Sequence, residues 1–214
     1  MRPLTLALGN ADDLETCQEV AVAYHYLHQR VDNRARPMCY MLRSEQRWIG
    51  MLMAGIPHAT ACRTWWGKRA GITQWQVMDL CRIYLHPDVQ AGGRHCDPEW
   101  VPGYHDRRGV WRSTLATWMI HQVLQRIQID RVALWPPVYL DQPYHIRLVI
   151  SYHDPKHHRG TIYRLAGAAP MYIDGSGQPA PGPAGKYGWC WPLPEPAWTW
   201  QDLPEVRSRT LRMF

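Results

Sequence analysis

Phenylalanine is nearly absent from this chain, which has one Phe against 12 Trp and 11 Tyr. Trp and Tyr join a flat apolar face to a polar edge, which suits wet surfaces and base stacking, although a GC-rich genome produces the same bias. The six cysteines (Cys17, Cys39, Cys62, Cys81, Cys96 and Cys190) include no Cys-x-x-Cys pair. That argues against a zinc knuckle and fits reduced, structural thiols. The sequence has no N-terminal secretion signal and no apolar run long enough to cross a bilayer, so a soluble cytoplasmic protein is expected. It has no internal repeat.

What is present is ordinary for a globular chain of 214 residues, with 46% hydrophobic and 20% charged residues. The net charge of +6 favours an anionic partner such as nucleic acid without proving one.

Helical spacing of Leu14, Cys17, Val20, Ala21, Tyr24 and Leu27 behind Asp12-Asp13 predicts a helix over 12–30. Two apolar strands, 37–43 and 48–54, flank Ser44-Glu45-Gln46-Arg47 and predict a hairpin, and residues 76–85 predict a further strand. A long Gly-, Pro- and charge-rich loop follows over 88–110. Apolar positions from Trp111 to Ile127 then predict a long helix over 111–129. Strand 146–152, a short helix over 160–167 and a last strand over 170–173 complete residues 1–173, the expected catalytic domain. Residues 174–214 are dense in Pro, Gly and Trp and predict an extended strap without regular elements, its Trp rings docked on the body and its end basic. The fold class is thus α+β, a mixed central sheet with flanking helices.

The richest stretch runs from Ser151 through Tyr152-His153-Asp154-Pro155-Lys156-His157-His158-Arg159-Gly160 to Tyr163, where an apolar strand gives way to a helix. Asp154 has the position of a base or amine-orienting acceptor, or of a turn cap before Pro155. Tyr163 is either a proton donor or a core aromatic, Ser113 a carbonyl or phosphate ligand or a plain helix cap, and His25 a site residue or a satisfied surface histidine. His153, His157 and His158 are candidate metal ligands of the imidazole type, for iron if for any metal, but their spacing matches no standard site.

Four segments together resemble a known family: His25-Tyr26-Leu27; the hairpin with Ile49-Gly50 and Gly55-Ile56-Pro57; Arg82-Ile83-Tyr84-Leu85 with Arg112-Ser113-Thr114-Leu115; and Ser151 to Tyr163. The family is the Mom-type DNA-modification proteins of bacteriophages and their prophage relatives, a branch of the GNAT acyltransferase superfamily. The resemblance spans roughly residues 20–173. It implies a GNAT-like fold whose sheet is splayed at its middle, with the acyl donor between the parted strands. It also implies an enzyme, phage- or prophage-encoded, that converts adenine N6 in DNA to an N6-carbamoylmethyl derivative and protects phage DNA from restriction.

The positions carried over are His25, Ser113 and Asp154, with Tyr163 where GNAT enzymes often hold a catalytic acid. The GNAT pyrophosphate loop, Arg/Gln-x-x-Gly-x-Gly/Ala at the head of the long helix, is missing, which leaves acyl-CoA and an aminoacyl group both open as donor. DNA is the expected partner, presenting an unstacked adenine. Its expected contacts are Tyr26, Arg63, Trp65, Trp66, Lys68, Arg69, Arg107, Arg108, Arg112, Lys156 and Arg159, with Trp100 as a further stacking candidate. A homodimer is left open. The competing functions are a GNAT-like N-acyltransferase for a small-molecule or protein amine, and a non-catalytic DNA-binding or defence component.

Overall fold

The computed structural model describes residues 2–57, 71–134, 145–182 and 184–195. Its elements run β1 (Leu4–Leu8), α1 (Ala11–Tyr24), β2 (Met38–Ser44), β3 (Arg47–Gly55), β4 (Val77–Leu85), β5 (Gly103–His105), β6 (Trp111–Ser113), α2 (Leu115–Leu134), β7 (Leu148–His153), α3 (Thr161–Leu165), β8 (Ala169–Pro170) and β9 (Tyr187–Pro192). Seven strands make one sheet in the order β1-β2-β3-β4-β7-β9-β8, and β5 pairs only with β6. All neighbours are antiparallel except β4 and β7. An antiparallel first half, one parallel joint and a closing pair whose last strand inserts before its predecessor is the topology of the GNAT fold, and the protein is α+β.

The parallel joint is short. Val77, Met78 and Asp79 pair with Leu148, Val149 and Ile150, and there the pairing ends. Beyond it β4 stays with β3, while Ser151–His153 stays with β9. The cause lies in β4: Ala54 faces Leu80 but Met53 faces Arg82, so Cys81 is an extra residue. Such a bulge bends and twists its strand. It also shifts the side-chain alternation, so that Met78 and Leu80 before it and Ile83 and Leu85 after it all pack on the α2 side. Cys81 and Tyr84 pack instead with the α1 cluster. Where the strands separate, the Ser151 hydroxyl donates to the Leu80 carbonyl at 3.0 Å, replacing a ladder bond.

Helix α1 opens on a capping box between Asn10 and Asp13. It ends at Tyr24 rather than running to residue 30, because the His25 ring takes the Leu27 amide at 3.2 Å. Helix α2 buries Leu115, Met119, Ile120, Val123 and Ile127 on the main core. Its Gln128 side chain takes the Ile146 amide and donates to the Ile146 carbonyl, fixing the chain as it enters β7.

Several expectations change. Residues 111–113 are a strand, not the first turn of the long helix: Trp111, Arg112 and Ser113 pair with His105, Tyr104 and Gly103. Gly103 permits this, since a Cβ there would lie 2.3 Å from the Arg112 carbonyl oxygen. The long loop therefore contains a hairpin. An unforeseen strand, β1, forms the sheet edge. The last strand before the strap is only Ala169–Pro170. The strap itself is not devoid of regular structure: Tyr187–Pro192 is β9, sitting between β7 and β8, with Trp189 and Trp191 buried in the main core and Cys190 on the opposite face. The boundary expected at residue 173 therefore does not separate the sheet from the tail.

Trp191 also donates from its indole N–H to the Ala166 carbonyl at 2.8 Å, in a buried site. Trp191→Phe removes the indole N–H and part of a buried ring and strands that carbonyl, which should lower stability by at least about 1–2 kcal/mol. Chemical denaturation should show a lower midpoint with an unchanged m-value.

Candidate functional site

The parting of β4 and β7 opens a cleft of about 580 Å³. Leu80, Cys81, Ile83, Tyr84 and Leu85 of β4 form one wall. Tyr152 and the run His157–Tyr163 form the other, Tyr24–Tyr26 at the end of α1 close one rim, and Ala116 comes from the head of α2. Segments separated by more than a hundred residues of sequence thus meet in one place. Its lining contains no Asp or Glu, and Arg159 is its one charged side chain among the described residues.

The rings in and behind the cleft are stacked in sequence. His25 lies 4.3 Å from Tyr26, Tyr26 stacks on His157 at 4.5 Å, and His158 lies 4.7 Å from His153. His153 is buried, parallel to the rings of Tyr163, Tyr187 and Trp189. The Trp189 indole N–H donates to His153 Nδ1 at 2.8 Å, so the neutral ring carries its proton on Nε2. Burial pushes the His153 pKa down to about 4, with His158 adding to the effect. Gly160, at φ +66°, lies against this ring: a Cβ there would lie 2.4 Å from His153 Cε1.

His25 is also held neutral at pH 7, pushed down to about 4 by burial, then by the nearby Arg82 and the other histidines. Its Nδ1 accepts the Leu27 amide, which leaves Nε2–H as a donor. Burial raises the Tyr163 hydroxyl to about 12, partly offset by a hydrogen bond with Ser151, so it keeps its proton. Tyr26 is raised by burial, against the pull of Arg82.

Two residues that sequence reasoning missed stand just behind the wall. Asp79 is the last β4 residue paired with β7. Burial pushes its carboxyl up to about 7, while Arg82 and Lys186 pull it down. It acts electrostatically on both Tyr26 and Tyr163. Arg82 donates from Nη1 to the Cys81 carbonyl at 2.7 Å, and its buried Nε has no partner among the described residues. A charged Asp and Arg inside an otherwise apolar strand, Val77-Met78-Asp79-Leu80-Cys81-Arg82-Ile83, was the signal that could have found them.

Of the residues expected from sequence, His25, Tyr26, Tyr163 and Arg159 line the cleft. Ser113 and Asp154 do not. Ser113 ends β6, and its hydroxyl accepts the Leu115 amide at 3.2 Å, a capping role. The Asp154 carboxylate accepts the Lys156 amide at 2.9 Å and closes the turn that carries the histidines. Lys156 is exposed on that turn, and Arg107, Arg108 and Arg112 belong to the β5–β6 hairpin. Trp100 already has ring partners within the chain, the Arg2 guanidinium at 3.9 Å and the His95 ring at 4.0 Å. Arg63, Trp65, Trp66, Lys68, Arg69 and the basic C-terminal end lie outside the described residues.

Neither cofactor suggested by the sequence finds a fitting set of groups. Among the described residues no three His, Cys, Asp or Glu side chains are grouped to hold a metal ion. His153 Nδ1 is already engaged by Trp189. At the head of α2 the Leu115 amide, which a pyrophosphate oxygen would need, is taken by Ser113, and Arg112 is held by Asp106. The Leu115 amide and the Arg112 side chain at that helix end are thus already engaged within the chain. No helix among the described residues is long and apolar enough to cross a membrane.

No family model and no curated protein matches this chain. Solved structures of similar shape include FeeM, an N-acyl amino acid synthase from uncultured soil microbes, at TM-score 0.47 and 11% identity, covering 91% of this chain and 94% of that one. The aminoglycoside acetyltransferase AAC(6')-Ib in complex with coenzyme A gives TM-score 0.47 and 13% identity, covering 97% of this chain and 99% of that one. The spermidine/spermine N-acetyltransferase SpeG from Vibrio cholerae gives TM-score 0.41 and 11% identity, covering 89% and 95%. These likenesses are weak, and the fold assignment rests on the strand order and the parted joint.

Two outcomes follow. Gly160→Ala places a Cβ in a left-handed backbone against a buried ring, and should cost at least about 1–2 kcal/mol from the backbone alone, read as a drop in Tm. His25 and His153 titrate near 6.5 when unfolded and near 4 when folded, so between those values the unfolded chain binds more protons and stability falls as pH falls. Asp79, raised from 3.8 to about 7, opposes this over its own window, but it is one group against two. Tm should therefore decline from pH 6.5 towards 4, and His153→Asn, which keeps an acceptor for Trp189, should flatten that decline.

Proposed function

We propose that this chain is a transferase that modifies an amine, and that the amine is N6 of adenine in DNA, converted to the N6-carbamoylmethyl derivative as the Mom-type resemblance implies. The observation that carries this reading is the character of the cleft. It is lined by stacked Tyr and His rings and a single arginine, without a carboxylate among its described residues. Such a lining favours a flat, uncharged aromatic amine over a polycationic one, whose ammonium groups need carboxylates close by. The positive Arg159 at the cleft suits a phosphate that accompanies the base. Three of the four segments that carry the resemblance, those at 25–27, 82–85 and 151–163, contribute to this one cleft.

The N6 lone pair is delocalised into the adenine ring, so the reaction depends on activating the electrophile and removing the amine proton. In the proposed reaction N6 forms a bond to the α-carbon of an acetamide-type donor that carries a leaving group there, and the bond from that carbon to the leaving group breaks. The leaving group departs with the electron pair and takes the Tyr163 proton. The N6 proton passes to the Tyr163 phenolate so formed, which restores the phenol at the cleft wall. His25, a donor through Nε2–H, would hydrogen-bond the amide oxygen of that donor and orient it. An adenine must leave the base stack to enter so narrow a cleft.

A second reading, an N-acyltransferase acting on an uncharged small-molecule or protein amine, is favoured by the cleft volume, about 580 Å³, which falls in the range of small-ligand sites.

Mass spectrometry of nucleosides from the DNA of expressing cells separates the two readings. The first requires a new adenosine derivative, and unmodified DNA alongside an acylated small amine would establish the second. Tyr163→Phe should lower the yield on the order of a hundredfold.

A further inference from the structure

The β5–β6 hairpin belongs to no layer of the sheet and takes no part in the cleft. Its two strands split by face. His105 and Trp111 pair across the ladder, their rings 5.0 Å apart, and Trp111 packs on the main core. Tyr104 and Arg112 pair on the other face, where Tyr104 is 54% exposed. One side anchors the hairpin and the other stands in solvent.

The tip is unusually rigid for five residues. The Asp106 carboxylate accepts the Arg108 amide at 2.9 Å and the Val110 amide at 3.0 Å. Its Oδ2 also accepts Arg112 Nε at 2.8 Å, and Arg112 Nη2 forms an ion pair with the same oxygen at 2.8 Å. Gly109, at φ +72°, completes the turn with its amide on the Asp106 carbonyl at 2.9 Å. Both oxygens of Asp106 thus have their partners inside the hairpin. Arg107 and Arg108, exposed at the apex, form no ion pair among the described residues. Two neighbouring guanidinium groups on a braced turn lose little freedom on binding an anion.

We propose that this hairpin is a DNA-gripping arm: Arg107 and Arg108 hold phosphates of the duplex backbone beside the nucleotide in the cleft, and Arg112 braces the arm from within. The assignment rests on the reading of DNA as the substrate. The arm is joined to the cleft directly, since β6 passes through Thr114 into α2, whose Ala116 lines the cleft. Three strand residues extend the arm by about 10 Å from the head of α2. Tyr104 and Val110, 54% and 48% exposed, give the same arm an apolar edge for the sugars. Three arginines against one aspartate in residues 103–113 complement a polyanion. The division of labour is also specific: a merely basic surface would use all three arginines alike.

Fluorescence anisotropy of the full chain on a labelled duplex, read across a salt series, tests this. In the double variant Arg107→Gln/Arg108→Gln, the slope of log affinity against log salt should fall by about 2, with affinity lower on the order of tenfold at physiological salt. Thermal stability should not change. Asp106→Ala adds one positive charge yet should weaken binding, because it frees the turn; a bare charge effect would tighten it. An unchanged slope in the double variant, tighter binding by Asp106→Ala, or displacement of the duplex by polyglutamate as readily as by unlabelled DNA would overturn the proposal. So would a wild-type chain that does not bind duplex at all. If the double variant loses binding as expected but wild-type DNA carries no modified adenosine, the arm stands and the transferase reading falls. If adenosine is modified equally by wild type and double variant, the reverse holds.

Discussion

Where β4 and β7 part, backbone groups that would have bonded across a sheet are left in an apolar interior, and the rest of the site follows from how they are satisfied. The Ser151 hydroxyl takes the Leu80 carbonyl and also meets the Tyr163 hydroxyl. One small side chain therefore closes the ladder, marks the end of pairing and ties the short helix α3 to the floor. The bulge at Cys81 then turns β4 away, and the gap becomes the cleft. A larger or apolar residue at 151 would leave the carbonyl unsatisfied at the point where the sheet can least tolerate it.

The cleft's chemistry derives from the same burial. Low polarity around the rings disfavours every charged form, lowering His25 and His153 and raising Asp79 and Tyr163. Neutral imidazoles and a protonated phenol leave Arg159 as the one fixed charge among the described residues that line the cleft. Behind the wall, Arg82 pulls the Asp79 carboxyl down against the effect of burial.

Much of this was legible in the amino-acid order, and the failures have physical causes. The hairpin β2–β3, the strand before the Asp154-Pro155 break and the helix carrying Tyr163 follow from period-2 runs and turn residues with no help from distant contacts. The bulge at Cys81 was not legible, because an inserted residue leaves no mark on composition and only shifts which side chains share a face. Trp111 fits a helical stripe as well as a strand; the decision belongs to Gly103, eight residues earlier, whose missing Cβ admits the pairing. In β9, the alternating Trp-Cys-Trp was masked by prolines on both sides, which confine the strand but do not enter its middle. Asp79 and Arg82 were read past because an apolar strand was expected to be only structural. Ser113 and Asp154 were placed correctly at element ends, and their hydrogen bonds there are those of a cap and a turn.

The position of β9 has a consequence for synthesis. A strand from residues 187–192 sits inside the sheet, holding β7 on one side and β8 on the other. On the ribosome, β7 emerges with one edge open and waits for nearly forty further residues before its neighbour exists. Until then a buried strand presents an unpaired edge, a hazard for self-association. A nascent chain stopped short of Tyr187 would hold every cleft-lining residue named here and still lack the strand that keeps His153 in place.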